Sequence, residues 1–356
     1  MNAKILPLLL ALICLFSCED QEKKLDQLRS QQLHNISEFG ALPLHQSFQT
    51  ACAQLSQSVQ TFAQAPNMEQ LSLVQKQWQQ AGELFKRCEL YDIGEVNSQF
   101  IHFRLHRWPI NEQRLEDTLQ MNPAISTDRV ANLGSALVGI AALEYLLFEQ
   151  TPEQTLAQFQ KEPKRLQYLQ GCAAYLDQKA TELQTIWKNY HPTFITALES
   201  RISGGQNQIT NSLVAYLEET SKLRLGKALG EADGGLVDTS KLEAYRSDAS
   251  LAFIKSGFAE WKHCYKGEFP NSTDIFGLDD YLVALGNQDL VNRVQTAIEA
   301  CDAALNELSS LNQDINGQKA KVTAVKTAFS TLAVLLKTEV ASFIGVTITV
   351  NDSDGD

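Results

Sequence analysis

The chain has 356 residues, of which 44% are hydrophobic and 20% are charged, a normal composition for one large globular domain or two ordinary ones. Its formal net charge of -12 argues against a nucleic-acid-binding protein, because the phosphates would be repelled. The same charge is compatible with a cationic ligand.

The N-terminus has the pattern of a bacterial lipoprotein signal. Lys4 precedes an apolar run over residues 5–16, which is too short to span a hydrocarbon core of ~30 Å as a helix. The run ends in Leu15-Phe16-Ser17-Cys18, which resembles a lipobox. We predict a signal peptide over residues 1–17 and acylation, such as palmitoylation, at Cys18, so that the membrane is a partner through this anchor. An ordinary cleaved signal is the alternative. The polar residues 18–40 are predicted to form a solvated tether.

Apolar residues then recur at spacings of three and four, the pattern of helices with one buried stripe. In the first half this pattern predicts four long helices, and the fourth should end near His191-Pro192. They cover residues 44–62, 71–88, 127–148 and 163–190.

The paired glycines of Ser203-Gly204-Gly205 predict a break in the middle of the chain. Four further helices follow, over residues 209–224, 248–264, 289–311 and 317–344, and Val346–Val350 alternates like a short strand. The predicted fold class is all-α. Two helical-bundle domains, residues 41–202 and 206–356, pack together, with a short β segment at the C-terminus.

Five cysteines remain outside the signal and the anchor, and none belongs to a CxxC pair. Cysteines in apolar helical stripes behave as small hydrophobic residues, which is the interpretation we adopt. If disulfides form instead, the odd number leaves one thiol free. The five are Cys52, Cys88, Cys172, Cys264 and Cys301.

Glu144 is the only charged residue between Arg129 and Glu149, in a segment that is apolar on nearly every side. Such a helix is buried, and a buried carboxylate must be paired, bound to a metal or protonated. An ion pair with an arginine in a domain interface and a functional site are the two interpretations. In the functional site, Glu144 would be a metal ligand or the partner of Arg107 or Arg224. Gly139 would mark the close approach of another backbone.

His102 and His106 are four residues apart, which on a helix would place them on one face, as in paired zinc ligands. The glutamate that follows the first histidine in zincins is absent, and Arg104 and Arg107 place positive charge nearby. The segment also alternates like a strand. A metal pair and a set of surface or anion-facing residues therefore both remain open.

The order of several motifs along the chain resembles the imelysin family. In the first half they are Trp78 with Phe85 and Glu89, then Arg107-Trp108-Pro109, and then Gly139 to Phe148, which is similar to the family's Gly-x-His-x-x-Glu motif. In the second half they are residues 217–230, 247–251 and 345–356. The resemblance implies an exported protein of two helical domains. Its family is classed as metallopeptidases and is often found near bacterial iron-uptake functions.

The chain departs from this motif at one position. Ala141 stands where the family has histidine, so Glu144 remains without its imidazole partner. A lone carboxylate is a poor transition-metal site, because such sites use three or more protein ligands. This departure favours a non-catalytic protein over an enzyme and leaves the question of catalysis open.

Together these features predict a membrane-anchored, non-catalytic binding lipoprotein linked to metal or iron uptake, on the periplasmic side or cell surface of a Gram-negative bacterium. Its ligand cleft is expected between the two domains, near Glu144 and Arg107-Trp108, with His102 or His106 as further ligands. A divalent metal, iron or another small ligand is the expected occupant. A structural or partner-binding surface lipoprotein is the first alternative, and a metallopeptidase is the second. Replacing Glu144 with Gln should change ligand binding more than folding.

Overall fold

The computed structural model describes residues 22–121 and 125–349, and within these residues it is helical and contains no β-strand. This confirms the all-α class. The helices of the first half are α1 (22–35), α2 (Leu42–Gln64), α3 (Met68–Cys88), α4 (Gly94–Ser98), α5 (Ile101–Leu105), α6 (Glu112–Gln120), α7 (Thr127–Ala131), α8 (Gly139–Phe148), α9 (Pro152–Lys161) and α10 (Pro163–Thr196). Those of the second half are α11 (Gly205–Glu219), α12 (Ser250–Lys266), α13 (Leu278–Ala284), α14 (Gln288–Asn306), α15 (Leu311–Gly317), α16 (Lys319–Leu335) and α17 (Ala341–Ile344).

Short π-helical segments connect or extend several of these helices. A π-helical segment, Ile36–Ala41, joins α1 to α2, and another, Thr220–Gly226, extends α11. A third, Leu336–Val340, joins α16 to α17, so the chain stays helical from Lys319 to Ile344. That stretch is long and apolar enough to cross a membrane, but its buried side packs against α14 and α11, as expected of a core helix.

The two halves share one hydrophobic core. In the first half α2 packs between α3 and α10, and in the second half α16 packs on α14 and α11. Helix α12 lies directly on α3, which joins the two halves, and the buried apolar residues form one continuous cluster. Polar contacts also cross this interface. Glu260 of α12, which is 1% exposed, accepts hydrogen bonds from the Arg87 guanidinium at 2.8 Å and from the Tyr91 hydroxyl at 2.6 Å.

The N-terminal tether prediction does not hold for its described part. From residue 22 the segment is helical, and Leu33 and Ile36 are fully buried. The apolar residues Leu25, Leu28, Leu33 and Ile36 lie at roughly helical spacing, which allows this stretch to pack on the core. Residues 1–21, with the predicted signal peptide and Cys18, lie outside the described residues.

Three other expectations are corrected by the structure. The predicted helix over residues 127–148 is interrupted, and α8 begins only at Gly139. Helix α10 continues past Pro192 to Thr196, because Phe194 is buried against Trp187 at a ring distance of 5.6 Å and holds the last turn in place. Residues 346–349 form no strand, since their partner is the Asn211 side chain, while Val350 lies outside the described residues.

Gly139 fixes the start of α8. Its φ of +80° lies in the left-handed region, and an added Cβ would lie 2.2 Å from the Leu105 carbonyl oxygen. The carbonyl of the next residue, Ile140, accepts a hydrogen bond from the Trp78 indole at 2.9 Å. This close approach of two backbones brings α5 beside α8, in agreement with the expectation from the sequence.

We therefore expect Gly139→Ala to lower the free energy of unfolding by about 2–4 kcal/mol, from left-handed strain and the clash with Leu105. Urea denaturation would measure the change. The matched control is Gly317→Ala at the end of α15, where an added Cβ meets no atom within 4 Å. A Gly139 variant as stable as that control would contradict the assigned backbone conformation.

Candidate functional site

A cleft of about 1400 Å³ lies between the two halves. One wall comes from the segment that contains α4 and α5, and the other from α11 and residues 200–203. The sequence placed a site at this junction, but only two of its five proposed ligand residues, His102 and His106, line the cleft. The residues that line the cleft include Glu89, Asp92, Phe100, His102, Phe103, His106, Arg201, Ile202, Asn211, Ala215, Glu219, Arg224, Thr347 and Thr349.

The C-terminal segment closes one side of this cleft. The side-chain amide of Asn211 on α11 donates to the Thr347 carbonyl at 2.9 Å, and its oxygen accepts from the Thr349 N–H at 2.8 Å. One amide side chain thus makes both bonds that a neighbouring strand would make. Residues 346–349, whose sequence alternates like a strand, therefore form part of the cleft wall.

An ion-pair cluster of Lys86, Glu89, His106, Arg224 and Glu243 forms the floor of the cleft. The Lys86 ammonium donates to Glu89 at 2.7 Å and also contacts Glu243, and the Lys86 side chain is fully buried. Arg224 donates to the other oxygen of Glu89 at 2.7 Å. Glu89 continues the buried stripe of α3 that includes Trp78 and Phe85, so its inward position had a signal in the sequence.

Burial and charge set the protonation of this cluster. Burial alone would raise the pKa of Glu89 and Glu243, but Lys86 and Arg224 hold the pKa of both carboxyls below the usual range. Burial, aided by the Lys86 charge, lowers the pKa of His106 to about 4, so its ring is neutral at pH 7. The cluster at neutral pH is therefore two carboxylates, two cations and a neutral imidazole.

The residues of this floor do not fit a divalent metal. Glu89, His106 and Glu243 can place one ligand atom each within 4.8 Å of one another, and they are the only such trio among the described residues. However, the Lys86 ammonium contacts both carboxylates and lies 3.4 Å from Nδ1 of His106. The protein's own cation takes the place of a metal ion, and His102 does not belong to the trio.

Glu144 is buried, as its apolar surroundings predict, but its partner is neither Arg107 nor Arg224. One carboxylate oxygen accepts from the Ser247 N–H at 3.0 Å and from the Ser247 hydroxyl at 2.9 Å. Burial nevertheless raises the pKa of Glu144 to about 7. Glu144 does not line the cleft, and no three-ligand group among residues 22–121 and 125–349 includes it.

Arg107 and Trp108 also lie outside the cleft lining. The Arg107 guanidinium stacks on the Phe103 ring at 4.7 Å and donates to the Ser135 hydroxyl at 3.4 Å. The Lys227 ammonium lies 5.7 Å from the centre of the Trp108 ring. Their role as ligands stays a prediction, because neither side chain lines the cleft.

His102 and His106 occupy one short turn without acting as a pair. His102 belongs to α5, and His106 follows its last residue in an extended conformation. Both rings pack on Phe85, at 5.4 and 5.7 Å. The structure therefore resolves the helix-or-strand alternative in favour of a helical turn.

One further arrangement resembles a catalytic triad. The Ser37 hydroxyl lies 2.7 Å from Nδ1 of His191, and Nε2 of His191 lies 3.3 Å from Glu38. The Ser37 residue is fully buried, so a substrate has no access to its oxygen. This trio therefore joins α10 to the first helical segment and provides no nucleophile.

Comparison with known proteins shows the family of this chain. The family model for imelysin (Peptidase_M75) matches residues 41–338, most of its length. The protein belongs to the imelysin family. Iron-regulated protein A of Synechococcus elongatus is 24% identical to this imelysin over 265 residues, which cover 71% of this chain and 68% of the relative.

Two crystal structures share the fold of this imelysin. An imelysin-like protein from Psychrobacter arcticum 273-4 has a TM-score of 0.77 at 16% identity, and the match covers 91% of this chain and 98% of the other. A protein described as an iron-regulated protein A precursor, from Parabacteroides distasonis ATCC 8503, has a TM-score of 0.75 at 14% identity, covering 90% and 95%. At these identities the likeness establishes the fold alone.

Proposed function

We propose that this imelysin is an exported, lipid-anchored binding protein that serves iron-related physiology and takes its ligand in the cleft between its two halves. The family and the iron-regulated relative support the link to iron. The cleft, with a volume of about 1400 Å³, is large enough to hold a small-molecule ligand.

Two observations carry the non-catalytic part of this proposal. The trio with metal-ligand spacing, Glu89, His106 and Glu243, is neutralised by Lys86, and the family's motif histidine is replaced by Ala141. A zinc peptidase needs an open metal position with at least three protein ligands. Neither the trio nor the motif around Glu144 offers three free ligands with an open metal position, so a binding function is favoured over peptide hydrolysis.

The proposed anchor would hold the folded body close to the membrane. Helix α1 is present from residue 22, so only residues 19–21 separate it from Cys18. An extended chain covers at most about 3.6 Å per residue, which gives a reach of roughly 14 Å. The start of α1 would then face the lipid surface.

The proposal is tested by deleting the gene in its own bacterium and measuring growth with iron limited by a chelator. We expect slower growth only under limitation, restored by the wild type but not by Cys18→Ser, which removes the acylation site, nor by Ala215→Trp, which fills the cleft. The matched control is Ala324→Trp, on the exposed side of α16. Mass spectrometry of the Cys18 peptide checks the anchor separately. Growth that is independent of iron would contradict the link to iron.

The absence of a metal site is tested by elemental analysis of the body, residues 19–356, after dialysis against zinc or iron. We expect less than one-tenth of an equivalent, on the order of the background for a site with too few ligands. An Ala141→His variant restores the family motif beside Glu144 and is the matched comparison. Stoichiometric metal in the wild type, or proteolysis that a chelator abolishes, would overturn the non-catalytic assignment.

A further inference from the structure

Three residues that line the cleft carry buried side-chain polar atoms without a partner in the described part of the chain. Arg224, 6% exposed, has one free guanidinium nitrogen, and His102, also 6% exposed, has two free ring nitrogens. Oδ1 of Asp92 is likewise buried without a hydrogen bond from a described residue. Buried polar groups are nearly always satisfied, so these atoms indicate a polar ligand with both donors and acceptors.

The mouth of the same cleft is apolar. Phe100 is 70% exposed, Ile202 is 57% exposed and Phe103 is 49% exposed, although all three are large hydrophobic residues. Phe100 also has a φ of +52°, an uncommon conformation for a bulky residue. Local strain combined with an exposed ring is typical of a position that contacts a ligand. The ligand therefore has an apolar part.

The cleft is lined by three carboxylates, those of Glu89, Asp92 and Glu219, and by two guanidinium groups, those of Arg201 and Arg224, so its charges favour a cation over an anion. Arg224 is already surrounded by Glu89 at 2.7 Å, Glu219 at 3.7 Å and Glu243 at 4.0 Å. Asp92 accepts only from the Asn97 amide at 3.3 Å and has no ion pair among the described residues. An anionic ligand group beside Arg224 would be repelled by these three carboxylates. Asp92 and Glu219, in contrast, can still pair with a positively charged ligand group.

We propose that the cleft binds a small organic cation with an apolar body and a neutral oxygen. The carboxylates of Asp92 and Glu219 receive its ammonium group, Arg224 donates to its oxygen, and Phe100 covers its apolar part. This inference rests on the proposed function of the cleft and names the chemical class of its ligand.

The test uses matched probes and the acylated full chain in detergent. Phenylalaninol carries an ammonium, a hydroxyl and a phenyl ring. 3-Phenyllactate keeps the phenyl ring and a hydroxyl but has a carboxylate and no ammonium, and alaninol lacks the ring. We expect saturation-transfer NMR titrations to give a Kd for phenylalaninol at least about tenfold below those of the other two.

Substitutions of cleft residues test where phenylalaninol binds. Glu219→Gln and Asp92→Asn should each weaken phenylalaninol binding by about fivefold to tenfold, and Phe100→Ala by a similar factor. The matched controls, Glu182→Gln on α10 and Phe343→Ala on α17, lie outside the cleft and should leave the Kd unchanged.

The outcomes separate this inference from the proposed function. Tighter binding of 3-phenyllactate that is lost in Ala215→Trp would overturn the cationic class and leave the cleft as a ligand site. If every probe bound the wild type and Ala215→Trp with the same Kd, or if no probe bound at all, both the ligand class and the role of the cleft as a ligand site would be overturned. Preference for phenylalaninol without an iron-dependent growth defect would support the ligand class and contradict the link to iron.

Discussion

Replacing Lys86 with Met is expected to lower the free energy of unfolding by about 3–5 kcal/mol, because it leaves the buried Glu243 and the partly buried Glu89 with one cation fewer. The Lys86 side chain is fully buried and contacts Glu89 and Glu243, whose side chains are 22% and 7% exposed. Urea denaturation at pH 7.5 would measure the loss. The double variant Lys86→Met/Glu243→Leu should recover much of it, since the surplus charge is removed with its partner.

The control for this prediction is Lys179→Met on α10. Lys179 pairs with Glu182 at 2.5 Å, but the Glu182 side chain is 44% exposed. Exposed ion pairs contribute at most about 1 kcal/mol, so this variant should remain near the wild type. Equal effects at Lys86 and Lys179 would show that the floor of the cleft is hydrated and that its charges are screened.

The second large effect is expected for Glu144→Gln, and it depends on pH. Burial raises the pKa of Glu144 in the folded protein to about 7, above its ordinary value of 4.5. Between these values the folded state holds a proton that the unfolded state releases, so stability falls as the pH rises through this window. A shift of this size corresponds to roughly 3 kcal/mol. Glutamine does not titrate, so the variant avoids this loss.

Relative to the wild type, Glu144→Gln should therefore gain about 2–3 kcal/mol between pH 5 and pH 8.5. The glutamine oxygen can still accept from Ser247, so the variant keeps the contact to the second half. Urea denaturation across this pH range is the measurement, and Glu153→Gln on the exposed first turn of α9 controls for the loss of one surface charge. A constant difference across the range would show that Glu144 is ionised throughout in the folded protein.

This expectation replaces the one drawn from the sequence. The sequence indicated that Glu144 belongs to the ligand site, so that its substitution would change binding more than folding. In the structure the carboxylate contacts Ser247 and does not line the cleft. We now expect Glu144→Gln to change the stability and to leave the Kd for phenylalaninol within about twofold of the wild type.

The sequence by itself determined the helical class and many helix positions. The apolar stripes of α2 and α3 and the break before Gly205 follow from residues close together in the chain. The burial of Glu144 could be predicted for the same reason, because its whole surrounding segment is apolar. Helical periodicity is a local property, so a single sequence can reveal it.

Only the tertiary structure decided the site. Lys86 meets Glu243 across 157 residues, Arg224 meets Glu89 across 135, and Ser247 meets Glu144 across 103. Nothing in the local pattern encodes these pairs, since α12 packing on α3 brings the two halves together. The trio Glu89, His106 and Glu243 has metal-ligand geometry, but the position of one lysine makes it an ion-pair cluster. The reason is physical: spacing along the chain selects which residues point inward, whereas packing between distant helices selects which charges they meet.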